Sequence, residues 1–265
     1  MKDKYGQWAC VLGAAEGLGA AFSMGLARRG FQLILVDKNQ VDLSKTSEKV
    51  RQTHQRETVE IVQDLANKES LTPILNAIAE KECRFLVYNA AYGPVKPFLS
   101  NSETELDLYL DVNVKTTLHL IYRFIKLHEG KPMGILLLSS LAGFRGTRLV
   151  IPYAATKAFL WNLAEGLHYE FQEQNLDISV CCPGTINTLN FQSTGPRLPF
   201  FAPKPMDPEK VAEEALQKFG KSLFIIPGLA NKFSHFLLNR VLPRRWASSI
   251  HNKTMKKMYT KLYSL

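Results

Sequence analysis

Tyr153 and Lys157 stand four residues apart in Tyr-Ala-Ala-Thr-Lys, at the start of a stretch with helical periodicity. On a helix, positions i and i+4 share one face, about 6 Å apart along the axis. A phenol titrates near about 10 and is a poor base at neutral pH. An ammonium beside it stabilises phenolate, so the pairing is expected to lower the Tyr153 pKa and make it a proton carrier. Such pairs also occur on solvated helices, and this one gains its meaning from Ser140, at the end of the apolar run ILLLSS (135–140). That edge of an open parallel sheet is where ligands bind, and a hydroxyl there orients a carbonyl or alcohol and stabilises developing charge. Ser139 is the rival. The pleat sends neighbouring residues to opposite faces, so only one of the two serves.

A second constellation suits a dinucleotide. After the first apolar run, WACVL (8–12), comes Gly13-Ala14-Ala15-Glu16-Gly17-Leu18-Gly19, leading into a helical stretch. Glycines there let a pyrophosphate approach the backbone and the helix N-terminus without meeting a Cβ. The plain alternative is a tight strand–helix turn, but the position after the first strand of a βαβ unit favours the nucleotide. Asp37 ends the next run, QLILVD (32–37). A carboxylate there accepts from both adenosine ribose hydroxyls and repels a 2′-phosphate, which favours NAD. Lys38 pulls the other way, since a cation one residue on suits the phosphate, so NADP stays open.

The elements that must hold these residues alternate along the chain. WACVL, QLILVD, TVEIV (58–62), FLVYNA (85–90), ILLLSS, ISVCCPG (178–184) and LFIIPG (223–228) are separated by helix-period stretches, with helical stretches over about 103–129. Near-continuous rather than alternating apolar runs mark strands buried on both faces. Seven such strands with right-handed helical crossovers make an α/β fold: a single Rossmann domain with a doubly wound seven-stranded parallel sheet and helices on both faces.

Taken in order, the chain resembles a short-chain dehydrogenase/reductase of the single-domain branch over about residues 7–228. The resemblance rests on Gly13…Gly17-Leu18-Gly19, Asp37, Asp64-Leu65, Asn89-Ala90-Ala91, Asn113, Ser140, Tyr153-x-x-x-Lys157 and Pro183-Gly184-Thr185-Ile186-Asn187-Thr188. It implies a catalytic set of Asn113, Ser140, Tyr153 and Lys157, with the family's serine falling on Ser140. It implies that Asp64 bonds the adenine amine, Leu65 packs near the ring, and Asn89 and Ala90 brace the central strand beside the cofactor. Asn113 would hold a water linking Lys157 to solvent. The Ile186 backbone and Thr188, following Pro183 and Gly184, would fix the nicotinamide carboxamide. Two positions depart: the usual Thr before the loop is Leu12, and the usual Asn-Asn-Ala-Gly reads Tyr88-Asn89-Ala90-Ala91.

The implied reaction moves hydride between a nicotinamide and a secondary alcohol or ketone, with Tyr153 moving the proton. Residues 189–206 carry Leu189, Phe191, Leu198, Phe200 and Phe201 among prolines, which reads as a mobile apolar lid over a lipid-, acyl- or steroid-like substrate. The plain alternative is a loop packed on its own body. Residues 229–265 read as a C-terminal extension of two amphipathic helices, with Phe233, Phe236, Leu237, Val241 and Trp246, then Ile250, Met255, Met258 and Leu262. From Ala215 onward there is no acid and there are ten cations, ending at Lys261, so the net charge of +9 belongs to this end. Three readings of the extension compete: a dimerisation or lid element in a homodimer or homotetramer, a contact with an anionic membrane or acidic carrier, and a solvated charged end. Nucleic acid is not expected, because no binding module accompanies the basic run.

With 265 residues, 46% apolar and 22% charged, the composition is that of a globular protein. The N-terminus does not read as a signal peptide, and four cysteines without CxxC spacing point to reduced thiols and no metal. The expectation is a cytoplasmic protein, with the tail allowing a peripheral place at a membrane. A non-catalytic, nucleotide-sensing regulator on the same fold is the alternative, although it would have no need of Ser140, Tyr153 and Lys157 together.

Overall fold

Alternate residues along each buried strand feed two different cores. In β1 (Trp8–Leu12), Ala9 and Val11 face one side while Cys10 and Leu12 face the other. In β2 (Gln32–Asp37), Leu33 and Leu35 are set apart from Ile34 and Val36 in the same way. Strands buried on both faces need helices on both, and the computed structural model supplies them. It describes residues 1–200 and 202–260; Phe201, Lys261 and Leu262, named above for the lid and tail, lie outside these.

The short α1 (Lys2–Tyr5), α2 (Gly17–Arg28) and α3 (Gln40–His54) contribute to the first core, followed along the chain by β3 (Thr58–Val62). Next come α4 (Leu71–Glu80), β4 (Phe85–Tyr88), α5 (Glu103–Leu110) and α6 (Thr116–Leu127), of which α4 and α6 cover the second core with Ile74, Ile78, Leu120 and Phe124. Then follow β5 (Met133–Leu138), α7 (Ile151–Phe171), β6 (Leu176–Cys181), α8 (Leu189–Ser193), α9 (Pro208–Lys218) and β7 (Phe224–Ile225). Helix α9 returns to the first core, laying Val211 and Ala215 there. The tail forms α10 (Leu229–Phe236) and α11 (Arg244–Met258), joined by a π-helical turn at Leu237–Val241.

All strand pairs are parallel, in the order β3-β2-β1-β4-β5-β6-β7. The chain winds outward from β1 to β3, then crosses back and winds the other way from β4. The gap between β1 and β4 is therefore the topological switch point, where ligands enter such sheets. Gly13 and Asn89 follow these two strands directly.

The helical stretches expected over 103–129 are α5 and α6, joined by a turn of a different kind. Helix α5 starts on a capping box, in which the Ser102 hydroxyl accepts from Glu105 N and the Glu105 carboxylate accepts from Ser102 N. It then widens into a π-helical turn at Asp111–Lys115, which rephases the helix and turns Asn113 inward. The last expected strand shrinks to two residues, because Pro227 and Gly228 follow at once and Gly228 turns at φ 84°.

Candidate active site

The glycine loop is packed so closely that side chains have no room. A Cβ on Gly19 would lie 1.7 Å from the Gly13 carbonyl oxygen, and one on Gly13 would lie 2.7 Å from Ala90 N. Asn89 Nδ2 donates to Gly13 O at 2.8 Å, tying the loop to the end of β4 across the switch point. Glu16 precedes α2 without capping it, and no acid stands in its first turn, so the first amides are left for an outside anion. Thr188 leans over the loop: its methyl would be 3.1 Å from a Cβ on Gly17, while its hydroxyl accepts from Phe191 N and caps α8. A backbone cradle with a free helix N-terminus fits the pyrophosphate of a dinucleotide.

The Asp37 carboxylate accepts from Ala15 N at 3.1 Å and Asn39 N at 3.0 Å, which fixes it beside the loop at the end of β2. Asp64 accepts from Ala66 N, and the buried Leu65 gives its carbonyl to Thr116 Oγ1 at 2.7 Å. Pro183 O takes the amide of Leu141, and Gly184 lies against Asn231, where a Cβ would be 2.6 Å from Oδ1. Ile186 bridges Met206 as an isolated β-pair.

At the reacting end the pleat decides between the two serines. Ser139 is buried and donates to Lys157 O at 2.7 Å, locked onto the α7 backbone. Ser140 faces the other way; its hydroxyl accepts from Ala142 N at 3.1 Å and lies near enough to the Tyr153 phenol to draw its pKa down. Lys157 is buried, donates Nζ to Leu138 O at 2.6 Å, and lies 5.4 Å from the Tyr153 ring centroid. Ser140, Tyr153 and Lys157 thus converge at the C-terminal end of β5. Asn113 is brought near but not into contact with Lys157. Its side-chain amide accepts from Tyr92 N and donates to Tyr92 O, both at 2.8 Å, and reaches Thr156 Oγ1 at 3.0 Å.

The expected lowering of the Tyr153 pKa is not what this arrangement produces. Burial pushes the phenol up to about 12, opposed by the Ser140 hydroxyl. Burial also pushes Lys157 down to about 8. The ammonium lies over the ring and toward a carbonyl rather than at the hydroxyl, so desolvation outweighs its attraction. In this state Tyr153 is a proton donor at neutral pH.

Several site residues escaped the sequence reading. Gly93 backs the catalytic ring, since a Cβ there would be 2.5 Å from Tyr153 Cδ2. The departure at Tyr88 has a use: its hydroxyl donates to Val112 O at 2.6 Å, inside the π-helical turn that carries Asn113. The tail packs against the loop that precedes α7. Leu149, Met258 and Tyr259 form a small apolar cluster, with Val95, Phe191 and Met255 packed on it. Gly93, two residues before Val95, lies against the Tyr153 ring, and Leu149 stands four residues before Tyr153, just ahead of α7, so this cluster adjoins the reacting end along the chain.

Comparison with known proteins agrees with the geometry. The family model for short chain dehydrogenases matches residues 7–198. A 7beta-hydroxysteroid dehydrogenase of Mediterraneibacter gnavus is 27% identical over 238 residues, covering 88% of this chain and 90% of that protein. A human protein described as inactive hydroxysteroid dehydrogenase-like protein 1 is 27% identical over 269 aligned positions, covering 96% of this chain and 78% of that one. Among solved structures, one from a study of 7beta-hydroxysteroid dehydrogenase stereoselectivity superposes with a TM-score of 0.85 at 23% identity, covering 94% of this chain and 98% of that one. A Sphingobium yanoikuyae short-chain dehydrogenase in complex with NADPH gives 0.74 at 22% identity, covering 93% of each chain. The chain belongs to the short-chain dehydrogenase family and is a NAD(P)-dependent oxidoreductase acting on alcohol and carbonyl groups.

Proposed function

We propose that this enzyme interconverts a secondary alcohol and a ketone on a bulky apolar, steroid-like substrate, using NAD in preference to NADP. The observation that carries the reading is the convergence of Ser140, Tyr153 and Lys157 beside the apolar cluster of Leu149, Met258 and Tyr259. A nicotinamide supplies or accepts hydride when bound, held by the loop Gly13–Gly19, Asp37, Asn89 and the segment from Pro183 to Thr188. Ser140 polarises the substrate oxygen. Tyr153, protonated at neutral pH, donates to a carbonyl oxygen in reduction and must first lose its proton to take one from an alcohol. Lys157 holds the proton charge behind the ring. Asn113 holds the chain at Tyr92 and braces α7 through Thr156.

The preference for NAD rests on Asp37, whose carboxylate is fixed at the end of β2 by two amides. The non-catalytic alternative gains some support from the human relative's description, but its loss of need for a proton carrier sits badly with an intact Ser140, Tyr153 and Lys157. Turnover of a panel of hydroxysteroids and long secondary alcohols with NAD and NADP decides the matter. Oxidation of at least one bulky alcohol is expected; cofactor binding without turnover of any of them would favour the regulator.

The reading extends to partners. Exposed Leu110, Leu118, Tyr122 and Tyr169 on α5, α6 and α7 support a homo-oligomer, to be checked by light scattering. Helix α10 is inverted: Asn231 is buried at 3% exposure while Leu229, Phe233 and Phe236 face out at 83%, 67% and 56%. With Trp246 exposed on α11 and no acid from residue 215 onward, this face suits an anionic bilayer. A two-fold contact between tails would instead set like charges face to face. Co-sedimentation with anionic but not neutral vesicles at low salt is expected; equal, negligible binding to both removes the membrane contact.

A further inference from the structure

The ten residues between Ser140 and Ile151 are held by groups that lie about a hundred positions later in the chain. The side chain of Asn252, on α11, bridges two backbone groups of this loop. Its Oδ1 accepts from Arg148 N at 2.8 Å, and its Nδ2 donates to Gly146 O at 3.0 Å. One residue earlier, His251 Nε2 meets the buried Thr147 hydroxyl at 3.0 Å. Arg145, only 7% exposed, donates to Leu238 O at 2.8 Å and to Asn239 Oδ1. Phe144 sits between the Trp161 ring and His235, with centroids 5.7 and 4.4 Å away.

Such a clamp is a poor way to gain stability. It buries a guanidinium against neutral acceptors, with Arg244 near enough to disfavour the charge. It also holds Leu149 at φ 65°, a left-handed conformation that a branched aliphatic side chain avoids. Backbone strain of this kind persists only where surrounding contacts over-determine it. Here they lie between the two residues that handle substrate and proton. The last turn of α11 adds a second connection, to the segment that follows Thr188: Tyr259 OH meets Thr194 Oγ1 at 3.1 Å, and Arg197 N donates to Met258 O at 2.8 Å.

We propose that Asn252 is a positioning residue of the active site, holding the Gly146–Leu149 backbone so that Ser140 and Tyr153 meet the substrate oxygen together, and that Tyr259 latches the substrate segment from the same helix. The proposal rests on the oxidoreductase reading of the site, but its structural half does not need turnover to be seen. Asn252→Ala removes both bonds to the loop. Asn252→Asp keeps the acceptor for Arg148 N and, of the two bonds to the loop, loses the donor to Gly146 O; the same nitrogen's bond to Ser248 O, within α11, goes with it. Tyr259→Phe removes one hydroxyl and nothing else.

Hydrogen exchange, cofactor titration and steady-state kinetics together test it. In Asn252→Ala, exchange should rise in peptides covering 141–152 and stay unchanged in those covering β1 and β4. kcat/KM should fall at least tenfold, while Kd for NADH or NADPH, whichever binds better, moves less than twofold. Asn252→Asp should lie between Asn252→Ala and the parent protein in both exchange and kinetics. Tyr259→Phe should raise substrate KM several-fold with kcat nearly constant. Unaltered exchange over 141–152 overturns the clamp. So does raised exchange with unaltered kcat/KM, or a kinetic loss matched by an equal loss of cofactor affinity. If the parent protein turns over no alcohol, the functional reading has failed, and the exchange data alone still judge whether Asn252 holds the loop.

Discussion

The two ends of the cleft are built by different means. The cofactor end is held chiefly by absence: glycines pack backbone on backbone, with Asn89 tying Gly13 across the switch point and Asp37 and Thr46 bonding the Ala15 backbone. The substrate end is held by presence, through side chains that reach from the tail to the loop between Ser140 and Tyr153. A cradle of the first kind admits one ligand shape and tolerates almost no substitution. A wall of the second kind is open to change, since each contact is a separate side chain. A dinucleotide that many enzymes share suits the former, and a substrate that varies among relatives suits the latter.

Five substitutions break or sharpen this contrast. The largest effect is expected from Tyr153→Phe, which leaves both ends built and removes only the proton. kcat should fall by about two to four orders of magnitude with Kd for cofactor nearly unchanged, measured by stopped-flow and fluorescence titration. The parent protein should show the matching pH dependence. With the phenol up at about 12, oxidation should speed up as pH rises above neutrality. With Lys157 down at about 8, reduction should decline above that pH as the ammonium is lost.

Gly19→Ala attacks the cradle. The added methyl has nowhere to go, so cofactor binding should fall below detection by calorimetry, and stability in a denaturant titration should drop by about 1–3 kcal/mol. Asp37→Ala is milder. It should raise the NADP/NAD ratio of kcat/KM about tenfold or more, by removing the charge that repels a 2′-phosphate and leaving Lys38 beside it. Ser139→Ala should be the smallest. It loses one buried hydrogen bond to Lys157 O, worth about 1 kcal/mol of stability in a denaturant titration, and leaves kcat near the parent value. Ser140→Ala, one residue on, should lower kcat instead.

How far the residues foretold the structure also follows this divide. The parallel sheet was legible because buried apolar runs and helical stretches alternate, and every strand expected from them is present. The glycine loop was legible for the same reason that it works, since only one residue type fits. The choice of Ser140 over Ser139 came from the family resemblance; the residues alone left both open, and the pleat that sets Ser139 on Lys157 O supplies the physical reason. The π-helical turn at Asp111–Lys115 was not legible among the helical stretches expected over 103–129. It exists because Asn113 and Tyr88 bond to Tyr92 and Val112, partners that no local pattern announces. The Tyr153 pKa went the other way because a four-residue spacing says where an ammonium sits along a helix, but not whether it points at the oxygen or the ring. Asn252 and His251 look like ordinary polar residues of a basic helix until the fold sets them against Gly146 and Thr147.

The distance along the chain between those partners, 104 residues for Thr147 and His251 and 106 for Gly146 and Asn252, has a consequence for how the protein comes into being. Emerging from the ribosome, the chain can complete the glycine cradle once β4 is out, from residues fewer than eighty positions apart. The loop beside Tyr153 must wait for almost the last helix to be synthesised. Contacts this far apart close slowly and late. A chain cut after Gly228 would therefore keep every residue proposed to hold the cofactor while losing the contacts that hold the loop beside Tyr153.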